Sequence, residues 1–245
     1  NDLLVTCGAD MENEEWVRLW RLQSEVAAST PFDVVFLGSL PKHHERTVNS
    51  VRFSPNGQVL ATAGDDNVVI LWSRRDAGND VEWMGLGILR GHTSEINDLS
   101  WSPDGLWLAS ASMDATIVIW SVSKRSLSQR IELPRSNVQG VAIHQRFLCA
   151  MTNQADLNIY KSSKSTKPFV RKRNFKNTES DQETKTPLFQ SQNQANPFYR
   201  RIAVSPDGLL IIAPAGVVGT QAVVHAFLKT HLNAGPVFTF PVGVN

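Results

Sequence analysis

A chain of 245 residues, 42% of them apolar, is long enough to bury one large core, and β architectures fill this length without dividing. With 24 Lys and Arg against 23 Asp and Glu, the net charge of +1 sets up no whole-molecule field toward nucleic acid or an anionic membrane, so any charged partner has to be met locally. Two cysteines, Cys7 and Cys149, make no disulfide framework, no apolar run is long enough to span a bilayer, and the N-terminus lacks a signal-peptide pattern; the expectation is a soluble protein of a reducing compartment, or one whose targeting segment lies outside this sequence.

In chain order, the first strand-like run is Leu4-Val5-Thr6-Cys7-Gly8, with Asp10 behind it and Trp20 further on. It matches Leu60-Ala61-Thr62-Ala63-Gly64 with Asp66 and Trp72. The extra residues fall in a turn, Met11 to Glu15, that carries Glu12, Glu14 and Glu15. An acidic rim facing a basic partner and a solvated hairpin tip both fit that turn. No strand-like run precedes Leu3, so the chain is expected to begin part-way through a unit.

Residues 44–72 and 92–120 are two copies of one unit, 48 positions apart. The shift places His44 on His92, Ser54 on Ser102, Thr62 on Ser110, Asp66 on Asp114 and Trp72 on Trp120. The later copy is complete from Leu89 to Lys124. Ile96 to Trp101 alternates apolar and polar residues as a half-buried strand does. Ser102-Pro103-Asp104-Gly105 supplies a turn, because Pro presets φ, Asp bonds its own backbone and Gly accepts a positive φ. Leu106 to Ser112 and the β-branched run Thr116 to Trp120 read as the next two strands. Between the copies, Ser73 to Gly85 reads as a polar connection held down by Trp83, with Leu86 to Leu89 as an outer strand.

Residues 126–160 read as a fourth, degenerate unit. Asn137 to Ile143 suits its first strand, but Pro134 stands in place of the His, Gln154 in place of the Asp and Tyr160 in place of the Trp. Only His144-Gln145-Arg146 is left for its turn, with His144 expected as a solvated loop residue, and the unit is expected to hold by packing against its neighbours. From residue 161 to 198 the strand pattern stops. Lys161, Lys164, Lys167, Arg171, Lys172, Arg173 and Lys176 form a basic run with no intervening acid. DNA, an acidic partner segment, an import receptor and a plain solvated loop all fit it. Leu188-Phe189 looks like an anchor onto the folded surface. Strand pattern returns at Tyr199 to Val204, turns at Ser205-Pro206-Asp207-Gly208, and resumes at Leu209 to Ala213, where Pro214-Ala215-Gly216 ends it. Ala222 to Phe227 follows, with Phe227 in the Trp position, and Pro236 to Pro241 reads as an outer strand.

No phosphate loop, His-Glu-x-x-His pair, Cys-x-x-Cys pair or nucleophile elbow occurs, and His43-His44 is not spaced for one helical face. The polar residues that recur do so once per unit, which is the behaviour of a scaffold. No catalytic residue, cofactor, metal, membrane or small-molecule substrate is expected.

The units resemble WD repeats. The resemblance implies an all-β WD-repeat β-propeller, seven blades when complete and about four and a half here. Residues 1–245 then form a single partial propeller with 161–198 as a polar and basic insertion between blades. It also implies that four side chains tie each blade: His92, Ser110, Asp114 and Trp120 in one, with Ser112 as the alternative hydroxyl, and His44, Thr62, Asp66 and Trp72 in the other. Such a buried polar chain stabilises only when every member is satisfied.

Several stretches are similar, beyond this, to the WD-repeat middle subunit of chromatin assembly factor one: Thr47 to Pro55, Gly64-Asp65-Asp66 leading to Ile70-Leu71-Trp72, Leu89-Arg90-Gly91-His92, and above all Phe198-Tyr199-Arg200-Arg201-Ile202 with Ala213-Pro214-Ala215-Gly216. The fourth blade and the short Ser73 to Gly85 connection depart from that family. What the resemblance implies is a nuclear, non-catalytic scaffold that binds the large subunit of its complex and helps deposit histones H3–H4 during DNA replication. A further histone chaperone would bind through segments outside this sequence. Candidate partner contacts are Glu12, Glu14 and Glu15 for the basic histones, Arg200 and Arg201 for acidic sequence on the large subunit, and Arg171, Lys172 and Arg173 on the basic run. The HIRA-type replication-independent histone chaperone shares the Val-Asn-x-Val-Arg strand and is the alternative within this class. A WD-repeat substrate receptor of a ubiquitin ligase is the alternative of another class, though Trp20-Arg21, Trp72-Ser73 and Trp120-Ser121 lack the Asp that such receptors carry after the Trp.

Overall fold

The computed structural model describes residues 3–8, 16–23, 33–77, 80–163, 168–175, 189, 200–218 and 221–242. Within them the chain forms five antiparallel sheets, each a meander taken in sequence order. The first has three strands, β1 (Leu3–Cys7), β2 (Val17–Gln23) and β3 (Asp33–Ser39). The second comprises β4 (Val48–Phe53), β5 (Val59–Gly64), β6 (Val68–Ala77) and β7 (Asp80–Arg90), and the third β8 (Ile96–Trp101), β9 (Trp107–Ser112), β10 (Thr116–Ser121) and β11 (Ser126–Glu132). The fourth comprises β12 (Val138–His144), β13 (Phe147–Thr152), β14 (Leu157–Lys161) and β15 (Val170–Phe175). The fifth comprises β16 (Ala203–Val204), β17 (Leu210–Val218), β18 (Gln221–Leu228) and β19 (Phe238–Pro241), with a 3-10 turn at Leu232–Ala234. β1 lies against β4, and β4, β8, β12 and β16 follow one another as the inner strands. This is the blade arrangement of a β-propeller.

The same register recurs in each blade. Leu4 pairs with Trp20, Leu60 with Trp72, Leu108 with Trp120, Leu148 with Tyr160 and Ile211 with Phe227. In the first four blades a β-bulge immediately precedes the aromatic on its outer side. An extra residue there increases the local twist, as a fanned stack of sheets requires. The Ser-Pro-Asp-Gly turn closes through Ser102: Gly105 N donates to its carbonyl at 2.9 Å, Trp107 N to its Oγ at 2.9 Å, and Gly105 holds φ 69°. The core lies between blades. Leu71, Leu89, Leu99, Leu108 and Trp120 interlock across the second and third, while Met151, Leu157, Ile159, Ile211 and Phe227 interlock across the fourth and fifth.

Several expectations are corrected. Ser73 to Gly85 is not a loop: β6 and β7 continue as one long hairpin, paired from Ser73–Met84 to Asp76–Val81, and Trp83 is buried against Phe53 at 5.6 Å. Ser126–Glu132 belongs to the third blade as its outer strand, so the fourth starts at Val138 and takes its outer strand from Val170–Phe175, inside the stretch expected to lack strands. A basic sequence is tolerated there because an outer strand is an edge, where charge also blocks pairing with other chains. His144 is buried, with Nε2 3.2 Å from the Pro206 carbonyl, because the two-residue turn Gln145-Arg146 leaves it at the strand end against the next blade. Within the described part of the strand expected from Tyr199, residues 200–204, only Ala203–Val204 pairs. Pro214 does not end β17; the register shifts between Ala213 and Gly216, and the bulge accommodates a residue with no N–H to give. The strand Asp33–Ser39 escapes the sequence reading, since its run of apolar residues has no partner copy to reveal it.

Among the described residues, large apolar side chains stay exposed on both end blades. Leu4, Val34 and Phe36 are 42–50% exposed on the first, and Phe238, Phe240 and Val242 are 48–57% exposed on the fifth. Between the blades, by contrast, packing leaves no room at Gly140, where an added Cβ would sit 2.0 Å from the Arg200 carbonyl oxygen. Gly140→Ala is therefore expected to cost about 2 kcal/mol or more in denaturant unfolding of the whole protein. Gly8→Ala, with nothing within 4 Å of its Cβ, should stay within about 0.5 kcal/mol.

Candidate functional site

Two polar systems are built from this framework. In the third blade His92 Nδ1 lies 2.8 Å from Asp114 Oδ2 and its Nε2 lies 2.7 Å from Ser110 Oγ, to which Trp120 Nε1 donates at 2.8 Å. The second blade repeats this at His44–Asp66 (2.8 Å), His44–Thr62 (2.7 Å) and Trp72–Thr62 (2.9 Å). Since the indole can only donate, the hydroxyl oxygen accepts from it and gives its own proton to imidazole Nε2, which leaves Nδ1–H for the carboxylate. Burial alone would raise Asp114, but hydrogen bonds from His92, Thr116 and Thr93 N outweigh it and hold the carboxyl far below the usual range; Asp66 is lowered in the same way by His44, Glu45 N and Val68 N. Ser112, the alternative hydroxyl, instead donates to the Ser94 carbonyl.

The remaining blades keep the positions and change the chemistry. Trp20 Nε1 donates to Thr6 Oγ1 at 2.9 Å, while Asp10 lies outside the described residues. Ala150 and Ala213 take the hydroxyl position in the fourth and fifth, by the register that pairs Leu148 with Tyr160 and Ile211 with Phe227. Gln154 tethers the turn by donating to the Arg135 carbonyl at 2.7 Å. Buried Phe189 stands 6.2 Å from the Phe227 ring, the separation of His92 from Trp120. An aromatic pair thus replaces the polar chain, and the expected anchor is Phe189; Leu188 lies outside the described residues.

The second system lies along the inner strands. Bulges at Asn49, Asn97 and Gln139 interrupt the pairing of β4, β8 and β12. Asn49 Nδ2 donates to the Ile96 carbonyl at 3.1 Å, and Asn97 Nδ2 to the Val138 carbonyl at 2.8 Å, one blade on in each case. Leu99 N donates to Ser50 Oγ, Val141 N to Asp98 Oδ2 and Ile143 N to Ser100 Oγ, at 3.1–3.2 Å. Asp98 is the hub. Its Oδ1 receives Arg52 Nη2 at 3.1 Å and Ser50 Oγ at 3.4 Å, and Arg201 Nε stands 3.8 Å away. Arg201 Nη2 reaches back to the Asn49 carbonyl at 2.7 Å, so one side chain of the fifth blade joins the second and third across the axis. Burial raises Asp98 against the opposing pull of Arg52, the Val141 amide and Arg201.

Among the described residues, the candidate partner positions lie on β15 and in the segment that leads into β16. Arg200 is 2% exposed, which removes it from any surface a partner could touch, and burial lowers its pKa. Arg201 remains 42% exposed. Arg171 is exposed, its guanidinium 5.8 Å from the Tyr160 ring centre. Lys172 and Arg173 follow on β15, and Glu12, Glu14 and Glu15 lie outside the described residues. Asn49, Ser50, Asp98 and Ser100 escape the sequence reading; the signal was the Val48-Asn49-Ser50 and Ile96-Asn97-Asp98 correspondence at the same 48-residue shift. Burial pushes the Cys149 thiol up to about 12 and raises Cys7 too, which disfavours the thiolate form of both. Among the described residues no three His, Cys, Asp or Glu side chains converge as a metal site would need.

The family model for the CAF1B/HIR1 beta-propeller domain matches residues 2–244. The B-type subunit of chromatin assembly factor 1 from Mus musculus is 30% identical over 250 residues, covering 94% of this chain and 42% of its own length. The Gallus gallus protein of the same name is 30% identical over 232 residues, covering 88% and 40%. Protein HIR1 of Yarrowia lipolytica is 29% identical over 195 residues, covering 74% and 18%. The chain thus spans about two fifths of the length of the two chromatin assembly factor proteins.

The two polar systems respond differently to substitution and acid. Asp114→Asn should cost about 3 kcal/mol at neutral pH, since it breaks a buried pair. A carboxyl whose folded pKa is depressed stabilises above its unfolded value of about 4 and loses that contribution as pH falls through the folded one. The gap between wild type and Asp114→Asn, followed by denaturant unfolding, is thus expected to narrow steadily below about pH 4. Asp98→Ala strands the Val141 amide and the Arg52 guanidinium and should cost about 3–5 kcal/mol. Asp98→Asn, which keeps an acceptor and removes a charge that burial disfavours, should cost clearly less in the same measurement.

Proposed function

The chain belongs to the CAF1B/HIR1 β-propeller family, and on that footing we propose that it is a non-catalytic scaffold subunit of a nuclear histone chaperone complex that deposits H3–H4 during replication-coupled nucleosome assembly. The observation that carries the reading is the match to the B-type subunit of chromatin assembly factor 1 over 94% of the chain. A second observation supports the scaffold role: the recurrent His, Ser or Thr, Asp and Trp side chains are committed to one another inside blades. Residues locked in this way hold surfaces in place and do not turn over a substrate.

The partners in this reading are the large subunit of the complex and histones H3–H4, reached directly or through that subunit. Glu12, Glu14 and Glu15 are the proposed contacts for the basic histones, by charge complementarity. Relatives more than twice as long support further blades in the whole protein and a ring of seven. The match to HIR1 of Yarrowia lipolytica over 74% of the chain favours a second reading, a replication-independent histone chaperone subunit.

Affinity purification of the tagged whole protein from nuclear extract, with mass spectrometry of what accompanies it, tests the proposal. H3, H4 and a large acidic subunit recruited to newly replicated DNA are expected. Histones recovered equally from non-replicating cells would favour the second reading. Cullin adaptors without histones would overturn both.

A further inference from the structure

The outer strands of the second and third blades enclose a groove that holds two fixed cations. Its floor on the β7 side is Gly87 and, directly after that strand, Gly91. A Cβ at Gly87 would stand 3.2 Å from Arg125 Cδ, and one at Gly91 would stand 2.9 Å from the Trp120 ring and 3.6 Å from Arg130 Nη2. Arg125, from the turn between β10 and β11, donates from Nη1 to the Leu86 carbonyl at 2.7 Å. Arg130, on β11, donates from Nη2 to the Gly91 carbonyl and from Nη1 to Thr116 Oγ1 at 3.3 Å. Both arginines stay exposed, as does Lys124 beside them. Their partners are neutral oxygens: among the described residues neither guanidinium is ion-paired, not even with Glu132, two residues on from Arg130. Arg125 also holds φ 49°, a backbone conformation that glycine adopts at less cost. Leu127, 41% exposed, lies at the Gly91 end, its Cδ1 3.5 Å from where that Cβ would be.

We propose that this groove between blades is a docking site for an extended acidic segment of a partner protein, which sets one carboxylate on Arg125, a second on Arg130 and an apolar side chain on Leu127. Arg presents planar, forked N–H donors that match a carboxylate, and guanidinium groups already fixed by carbonyls lose little freedom on binding. With no carboxylate of the chain's own paired to them, their charge is left for an incoming anion. The spacing selects the ligand. Gly87 and Gly91 are four residues apart, about 13 Å along an extended chain, and in a peptide strand residues i, i+2 and i+4 share one face. The segment therefore carries acid, apolar and acid at alternate positions. A nucleic acid fits less well, since its affinity rests on many phosphates met by many cations, whereas the groove offers two guanidinium groups and Lys124 with an exposed leucine beside them. The site does not depend on which complex the chain serves.

A fluorescent peptide with two glutamates four residues apart and a leucine midway, titrated into the whole protein, is the test. Arg125 is changed rather than Arg130, because Arg130 also supports Thr116, which bonds Asp114. Binding is expected to weaken about tenfold in Arg125→Gln, and to be partly kept in Arg125→Lys. It is expected to change less than about twofold in Arg90→Gln, since Arg90 pairs with Val68 and so lies on the other face of the sheet from Gly87, which pairs with Leu71. Thermal melts matched to wild type show that the variants are folded. A peptide of the same composition with its glutamates adjacent is expected to bind wild type clearly more weakly. Equal peptide affinity in wild type and a folded Arg125→Gln overturns the proposal. Equal affinity of wild type for the two peptides does so too, and that comparison stands whether or not the variant folds. Duplex DNA that binds more tightly than the peptide and loses that affinity in Arg125→Gln also overturns it, by assigning the groove to phosphate.

Discussion

The inner strands β4, β8, β12 and β16 are edge strands, and their outward backbone groups face the neighbouring blade near the axis. Unmet, each would carry the cost of a buried unpaired amide or carbonyl. The neighbouring blade meets them with side chains. Ser50, Asp98 and Ser100 accept from amides one blade on, while Asn49 and Asn97 donate to carbonyls one blade on. The bulges at Asn49 and Asn97 permit this, because an extra residue re-aims a side chain out of the pleat. Where the side chain is absent, at Gly140, the neighbouring backbone moves in instead. Adjacent blades are therefore coupled by directional bonds as well as by apolar packing.

This coupling explains how blades with different internal chemistry coexist. The second and third each carry a full buried polar chain and stabilise themselves. The fourth and fifth have alanines at the hydroxyl position, and in the fifth the Phe189–Phe227 pair takes its place, so both lean on packing with their neighbours. A scaffold of this kind offers function at its departures from the repeat: the long β6–β7 hairpin, the basic outer strand β15 and the Arg201 crossing.

How much was legible in the sequence depended on whether a feature had a copy. His44 and His92, with their partners, were readable because a 48-residue shift superposes them. The outer strands were harder to place. Ser126–Glu132 and Val170–Phe175 carry polar or basic residues at successive positions, without the alternation that marks a half-buried strand, and so look like loops. Asp33–Ser39 is apolar but has no repeat signature. Pro214 reads as a stop because a bulge that accepts it leaves no mark in composition. His144 and Arg200 were misplaced for a related reason: their burial depends on the next blade, which no local pattern encodes.

Amide hydrogen exchange on the whole protein tests most directly the claim that side chains of one blade complete the inner strand of the next. The amides of Leu99, Val141 and Ile143 have side-chain acceptors, and are predicted to exchange as slowly as the ladder-bonded amides of β9. Exchange at those three positions as fast as in the exposed strand β19 would contradict the account.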